Sequence, residues 1–260
     1  MSGRITEAFA RAKAEGRGAF VAYLTMGCPT LAKSEEAVCN LVAGGADVIE
    51  LGVPFSDPFA DGGVIRSAAY EALRQGVTLR DVLAAARRIR ERFPHVALVL
   101  FSYYNLIFSM GLEEFARAAA DAGVDAVLPV DLPLEEREEL LACLRPLGIG
   151  YIPLVAPNTP LERVKESAAG LENSFVYAIT VKGITGARDA LPADLAQRLD
   201  AIRDAIDLPV AAGFGISTPE QAATVCAHAD GFVVGSALVK QLVETGKCSA
   251  NFNAKRRNME

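Results

Sequence analysis

Short runs of apolar, β-branched residues alternate along this chain with longer stretches in which apolar residues recur every three or four positions. The runs at 19–25 (AFVAYLT), 47–53 (DVIELGV), 96–104 (VALVLFSYY), 125–130 (DAVLPV), 150–155 (GYIPLV), 175–180 (FVYAIT), 208–213 (LPVAAG) and 231–236 (GFVVGS) read as strands. Their near-continuous apolarity implies burial on both faces, as in parallel sheets. Between them lie amphipathic helices. Thr78 is placed to cap one whose inner stripe is Leu79, Val82, Leu83, Ala86 and Ile89, and Leu112, Phe115, Ala116 and Ala119 mark another. Three helix-to-strand turns, AGGADVIE, AGVDAVLP and HADGFVVG, echo one another. Glycine there suits the left-handed turn that ends a helix.

Eight strand–helix units in 260 residues predict an α/β protein, a single (β/α)8 TIM barrel with an extra N-terminal helix over MSGRITEAFARAKAEG. A doubly wound open sheet is the competing arrangement. The barrel domain is expected over 1–246. The segment 247–260 has no apolar stripe and is expected to be a disordered tail. Pro129 strains the pattern, because a proline inside a central strand cannot donate to the ladder.

Composition narrows the function. The chain is 51% hydrophobic, yet no apolar run approaches the ~20 residues of a membrane span, and the N-terminus has no secretory signal pattern. A net charge of −6 argues against a nucleic-acid surface. The five cysteines are scattered without a CxxC or Cys/His cluster, so neither a disulfide framework nor a zinc site is expected, and a reducing cytoplasm is the expected compartment. His95 and His228 fall outside the strands and read as solvated residues. Small molecules and proteins remain as partners.

In a barrel of this kind the chemistry gathers at the C-terminal ends of the strands. Those positions hold Glu50, Asp61, Tyr103, Tyr104, Asn105, Asp131, Asn158 and Tyr177. Glu50 lies inside an apolar strand, where an ionised carboxylate without a partner costs several kcal/mol. Lys182, after strand six, is the one nearby cation placed to reach inward. Asp61 sits in PFSDPFADGG, a proline- and glycine-bearing loop that suits a lid. GFGIS (213–217) and GSA (235–237) follow strands seven and eight, where this fold often binds phosphate on backbone N–H groups. Tyr23, Phe101, Leu128, Leu154 and Phe214 are placed to line a flat apolar slot. The combination suggests a ligand with one aromatic and one phosphorylated end.

The motifs FVAYLTMGCP, ELGVPFSDPFADG, SYYNLIF, VDLPLEE, APNTP, GITGAR, GFGISTPEQ and GSALVK occur in this order over nearly the whole chain. This series closely resembles the tryptophan synthase alpha subunit family. The resemblance implies a barrel without cofactor or metal that cleaves indole-3-glycerol phosphate to indole and glyceraldehyde 3-phosphate, in the last steps of tryptophan biosynthesis. It also implies that indole passes to a pyridoxal-phosphate beta subunit in an alpha2beta2 assembly. By match to the family's motifs, Glu50 and Asp61 are the catalytic carboxylates and Tyr177 the auxiliary residue. Gly186, Gly215, Gly235 and Ser236 correspond to the phosphate site. Tyr23, Phe101, Leu128, Leu154 and Phe214 correspond to the indole pocket, and Asp57 and Thr185 to the lids and partner contact.

The chain departs from the family at a few points. It has Cys28 in GCP where the family usually has aspartate, and GGVIR at 62–66 where the family usually reads G-P-x-I-Q. Val181 stands where arginine is usual, and the closing C-terminal helix is expected to be short or missing. Three other readings fit the residues: a free-standing indole-releasing lyase, a slow partner protein that mainly activates a beta subunit, and a Schiff-base aldolase using Lys182.

Overall fold

The computed structural model describes residues 3–179, 194–213 and 215–249. Within them, nine parallel strands form one sheet: β1 (Ala19–Thr25), β2 (Val48–Gly52), β3 (Ala97–Ser102), β4 (Ala126–Pro129), β5 (Gly150–Tyr151), β6 (Leu154–Val155), β7 (Val176–Ile179), β8 (Val210–Gly213) and β9 (Gly231–Val234). Their order is β5-β4-β3-β2-β1-β9-β8-β7-β6. The two ends of that order are halves of one extended stretch. Ile152 N–H donates to Val127 C=O at 2.9 Å, and Tyr177 N–H donates to Pro153 C=O at 3.0 Å. The ring therefore closes through the chain itself, and the expected fifth strand is divided between its two neighbours. The division falls at Pro153, which has no N–H to give.

Pro129 is accommodated for a similar reason. It is the last residue of β4, beyond the Val127–Tyr151 pair that ends the β4–β5 ladder. On the other side it pairs in register with Ser102, and the next bond there comes from Val130 N–H to Ser102 C=O. No ladder bond is lost.

Both helices predicted from periodicity form. Helix Leu79–Arg92 starts in a reciprocal capping box between Thr78 and Asp81, and helix Leu112–Asp121 buries Phe115, Ala116 and Ala119. The extra N-terminal helix, Arg4–Ala14, buries Ile5, Ala8, Phe9 and Ala12, one face at three- and four-residue spacing. Phe9 packs on Phe175, centroids 5.3 Å apart, at the end where the strands begin. Past the expected boundary at 246, Cys248 is still buried, so packing continues to the last described residues.

The three echoing turns have a common purpose that lies in their aspartates. Asp47, Asp125 and Asp230 each precede a strand. Each accepts a backbone N–H from the neighbouring strand, from Phe20, Leu98 and Val210 at 2.9, 2.8 and 3.0 Å. Each also donates its own N–H to the same residue's carbonyl. This two-bond latch sets the register of the strand pair. Arginines balance the charge: Arg11 and Arg17 on Asp47, Arg4 and Arg90 on Asp125, Arg203 on Asp230. The latches occupy the end of the barrel away from the candidate site, where residues serve stability.

Asp125 is buried and pairs with Arg90, itself only 13% exposed, so Asp125→Ala should cost about 3–5 kcal/mol by leaving Arg90 uncompensated and Leu98 N–H unpaired. At about 2–4 °C per kcal/mol for a chain of this size, thermal melting should fall by roughly 10 °C. Cleavage by the folded fraction at low temperature should be unchanged.

Candidate active site

Side chains alternate along a strand, so Ile49 and Leu51 point one way while Glu50 points the other, into the barrel. There Glu50 stands in register between Tyr23 of β1 and Val99 of β3. It is wholly buried, and neither carboxyl oxygen has a hydrogen-bond partner among the described residues. Burial alone pushes its pKa up to about 8 from an ordinary 4.5. Water would stabilise only the charged form, so removing water favours the proton.

Asp61 approaches from the loop after β2 and is 5% exposed. Burial raises its pKa to about 6, less than for Glu50 because the Tyr103 hydroxyl donates to Oδ2 at 3.0 Å and Arg66 lies nearby. The two carboxyl groups thus experience different surroundings. Among the described residues, one has no hydrogen-bond partner, and the other has a donor and a nearby cation.

Glu50 and Asp61 line the same cavity, together with Tyr23, Phe101 and Tyr177. Tyr23 meets Phe101 edge-on, with centroids 5.0 Å apart. Two glycines make room for the tyrosines. A Cβ on Gly52 would lie 2.3 Å from the Tyr23 hydroxyl oxygen, and one on Gly213 would lie 2.3 Å from that of Tyr177. Neither position has space for a larger residue without displacing an aromatic ring from the cavity wall.

The opposite wall is built from Gly215, Ser217, Gly235, Ser236 and Ala237. Helix Ser236–Thr245 starts here without a side-chain cap at Gly235. Its first N–H groups have no intrahelical acceptor and suit an anion. Gly215 has φ +94°, a conformation that L side chains avoid. Ser217 N–H, by contrast, donates to Gln221 Oε1 at 2.8 Å, within the cap of helix Pro219–Cys226. The vacant donors lie on the Gly235–Ser236 side.

The sequence-predicted residues divide into groups. Tyr23, Glu50, Asp61, Phe101, Tyr177, Gly215, Gly235 and Ser236 meet at one cavity. Leu128 and Leu154 do not line it. Leu128 is fully buried beside Phe101 across the β3–β4 ladder, and Leu154 lines a separate cleft with Pro129, Arg137 and Tyr151. Both are one strand removed from the cavity wall, a distinction that apolarity does not encode. Asp57 is exposed and accepts the Ser56 hydroxyl at 2.5 Å. Val181, Lys182, Thr185, Gly186 and Phe214 lie outside the described residues. Ile216 and Ala237, within the GFGIS and GSA turns, also line the cavity, as do Ile65 and Val233, which were not singled out by sequence because each reads as ordinary core. Tyr103 was legible only as a rim position. Among the described residues no His, Cys, Asp and Glu cluster suits a metal ion.

Known proteins resemble this chain over most of its length. The family model for the tryptophan synthase alpha chain matches residues 9–260. The tryptophan synthase alpha chain of Citrifermentans bemidjiense is 48% identical over 237 residues, covering 91% of this chain and 88% of its own. That of Opitutus terrae is 45% identical over 241 residues, covering 93% and 90%. Among solved structures, Mycobacterium tuberculosis tryptophan synthase superposes with a TM-score of 0.87 at 36% identity, covering 94% of this chain and 93% of the other. The alpha chain from Legionella pneumophila gives a TM-score of 0.85 at 32% identity, with 95% and 90% covered. With its carboxylates on a TIM barrel and its match running almost end to end, the chain belongs to the tryptophan synthase alpha chain family.

Proposed function

We propose that Glu50 carries the proton and Asp61 the compensating charge in this carbon–carbon lyase, which cleaves indole-3-glycerol phosphate to indole and glyceraldehyde 3-phosphate. The observation that supports this most is the wholly buried carboxyl group of Glu50 in the cavity wall, without a hydrogen-bond partner among the described residues. With its pKa raised to about 8, it is mainly protonated at neutral pH. It is then a general acid.

Donation of that proton to indole C3 leaves positive charge on the ring and a carboxylate on Glu50. The carboxylate removes the proton from the hydroxyl on the carbon attached to C3. The O–H electron pair becomes the carbonyl of glyceraldehyde 3-phosphate, and the carbon–carbon bond pair returns to the ring. Indole leaves neutral and Glu50 is protonated again. One proton has moved from oxygen to carbon.

Asp61 meets the other demand of this step. A carboxylate accepting the ring N–H stabilises the cation as it forms, and does so more strongly in a site without water. Tyr177 faces the same cavity from β7 and serves as the auxiliary group at the reacting centre. Gly215, Gly235 and Ser236 hold the phosphate, and Gly186 completes that grip. Tyr23 and Phe101 enclose the indole ring.

Family members function with a beta subunit. For this chain the reading is an alpha2beta2 assembly docked on the rim that carries Asp57, with Thr185 a contact by its match to the family's motif. Phe59, 69% exposed, and Phe108, 62% exposed, lie in segments that follow β2 and β3 and present apolar area suited to a partner. No helix among the described residues is long and apolar enough to cross a membrane.

Glu50→Gln should reduce release of glyceraldehyde 3-phosphate in a coupled assay by at least about 10²-fold. The same change should stabilise the fold in a pH-dependent way. Glu50 has a folded-state pKa above its unfolded value, so the stability it permits is complete below about 4.5 and is lost as pH rises through 8. The margin of Glu50→Gln over wild type should therefore open above pH 4.5 and level off above pH 8, near about 5 kcal/mol. A pH-independent margin would mean that Glu50 ionises freely in the folded protein. Gly235→Val places methyl groups between the helix N–H groups and the anion, and a Cβ there already lies 3.3 Å from the Tyr23 ring. It should raise KM at least tenfold, and inorganic phosphate should lose its competition with substrate. Finally, the cognate beta subunit should co-sediment with the chain and raise the cleavage rate at least tenfold, a bias of about 1.4 kcal/mol toward the active arrangement. Absence of both effects would favour the free-standing lyase.

A further inference from the structure

Asp61 belongs to a loop that one side chain at the end of β3 contacts at several points. Within the loop, Phe59 N–H donates to Asp57 C=O at 2.9 Å and Asp61 N–H to Pro58 C=O at 3.0 Å. These two bonds fold the loop on itself. Two glycines, Gly62 and Gly63, follow directly, and each loses more backbone freedom on ordering than other residues do.

Tyr103 supplies the anchorage. It stands where β3 gives way to helix Tyr104–Met110 and is 2% exposed. Phe55 stacks on its ring with centroids 4.8 Å apart, and Phe59 meets it edge-on at 5.5 Å. Its hydroxyl accepts Ala60 N–H at 3.2 Å and donates to Asp61 Oδ2 at 3.0 Å. One buried side chain therefore touches four residues of the loop, and the strand that carries it is rigid.

We propose that Tyr103 is a positioning residue for cleavage: it clamps the 55–61 loop to the end of β3 and engages Asp61 Oδ2, leaving Oδ1 for the substrate's ring N–H. This rests on the role proposed above for Asp61. The hydroxyl also favours the charged form of Asp61, since a donor stabilises a carboxylate more than a carboxylic acid. The other groups facing Asp61 are Arg66 from the following helix, Glu50 from β2, Tyr23 from β1 and Tyr177 from β7. At neutral pH the tyrosines are uncharged and Glu50 is mainly protonated, so Arg66 is the one full charge among them. It acts in the same direction as the hydroxyl but makes no clamp.

The distinction can be tested with Tyr103→Phe and Arg66→Gln, reading kcat, KM, the acid limb of kcat/KM and hydrogen exchange at the Ala60 amide. Tyr103→Phe keeps the ring and its stacking, so melting should stay within a few degrees of wild type. Its kcat should fall at least tenfold with KM changed less than threefold. Its acid limb, near pH 6 in wild type, should move up, and Ala60 should exchange at least tenfold faster. Arg66→Gln should move the acid limb up and leave Ala60 exchange unchanged. Wild-type kcat in Tyr103→Phe, or a fall in kcat with neither the limb nor Ala60 exchange altered, would overturn the proposal. Asp61→Asn separates the two readings. If it cleaves normally, both fail, whereas an inactive Asp61→Asn beside a normal Tyr103→Phe removes only the clamp.

Discussion

A wholly buried carboxyl group, with no hydrogen-bond partner among the described residues, is the constraint from which the rest of the site follows. Left in water, Glu50 would be a carboxylate at neutral pH and a poor acid. Within the barrel its charged form is so disfavoured that the group keeps its proton to about pH 8. That condition requires a rigid, dry wall. The strand supplies the rigidity, for a side chain in mid-strand cannot swing out to solvent as one on a loop can. The closed ring supplies the dryness. The helix Arg4–Ala14 covers one end, and the aspartate latches hold the strand pairs in register there.

Stability and chemistry are therefore separated along the barrel axis. At the end where strands begin, every embedded carboxylate has a donor and a cation, as Asp47 and Asp125 do. At the other end, among the described residues, Glu50 has neither, and Asp61 has a hydroxyl and one nearby cation. Between Asp61 and Glu50 the difference in partners goes with a difference in proton affinity. A reaction that needs an acid and an anion a few ångströms apart can use two residues of the same chemical type, because their surroundings differ.

Much of this was legible in the residues. Glu50 stood out because an apolar parallel strand has no ordinary use for a carboxyl group, and strand periodicity was enough to turn it inward. The phosphate wall was legible through Gly235 and Ser236 because their place after the last strand matters more than their side chains. Other features were not. Pro153 divides the fifth strand, but proline in an apolar run signals only an interruption and does not say which neighbour each half will join. Leu128 and Leu154 carry the same apolar signal as Phe101 and lie one strand away from the cavity. The latch aspartates were within reach, since Asp47, Asp125 and Asp230 recur at one position of an echoing motif. Attention to the glycines of those turns passed over them. Tyr103 acts through a contact between the loop after β2 and the end of β3, and a contact that distant in sequence leaves no local pattern.

The most direct measurement is the titration of Glu50 itself. Its carboxyl carbon can be followed by 13C NMR in protein labelled at glutamate, with Glu50→Gln used to assign the resonance. The account predicts a single transition with a midpoint near pH 8, far from the ordinary 4.5. A midpoint near 4.5 in the folded, ligand-free protein would show that Glu50 is ionised at neutral pH, and its role as the resident acid would be lost.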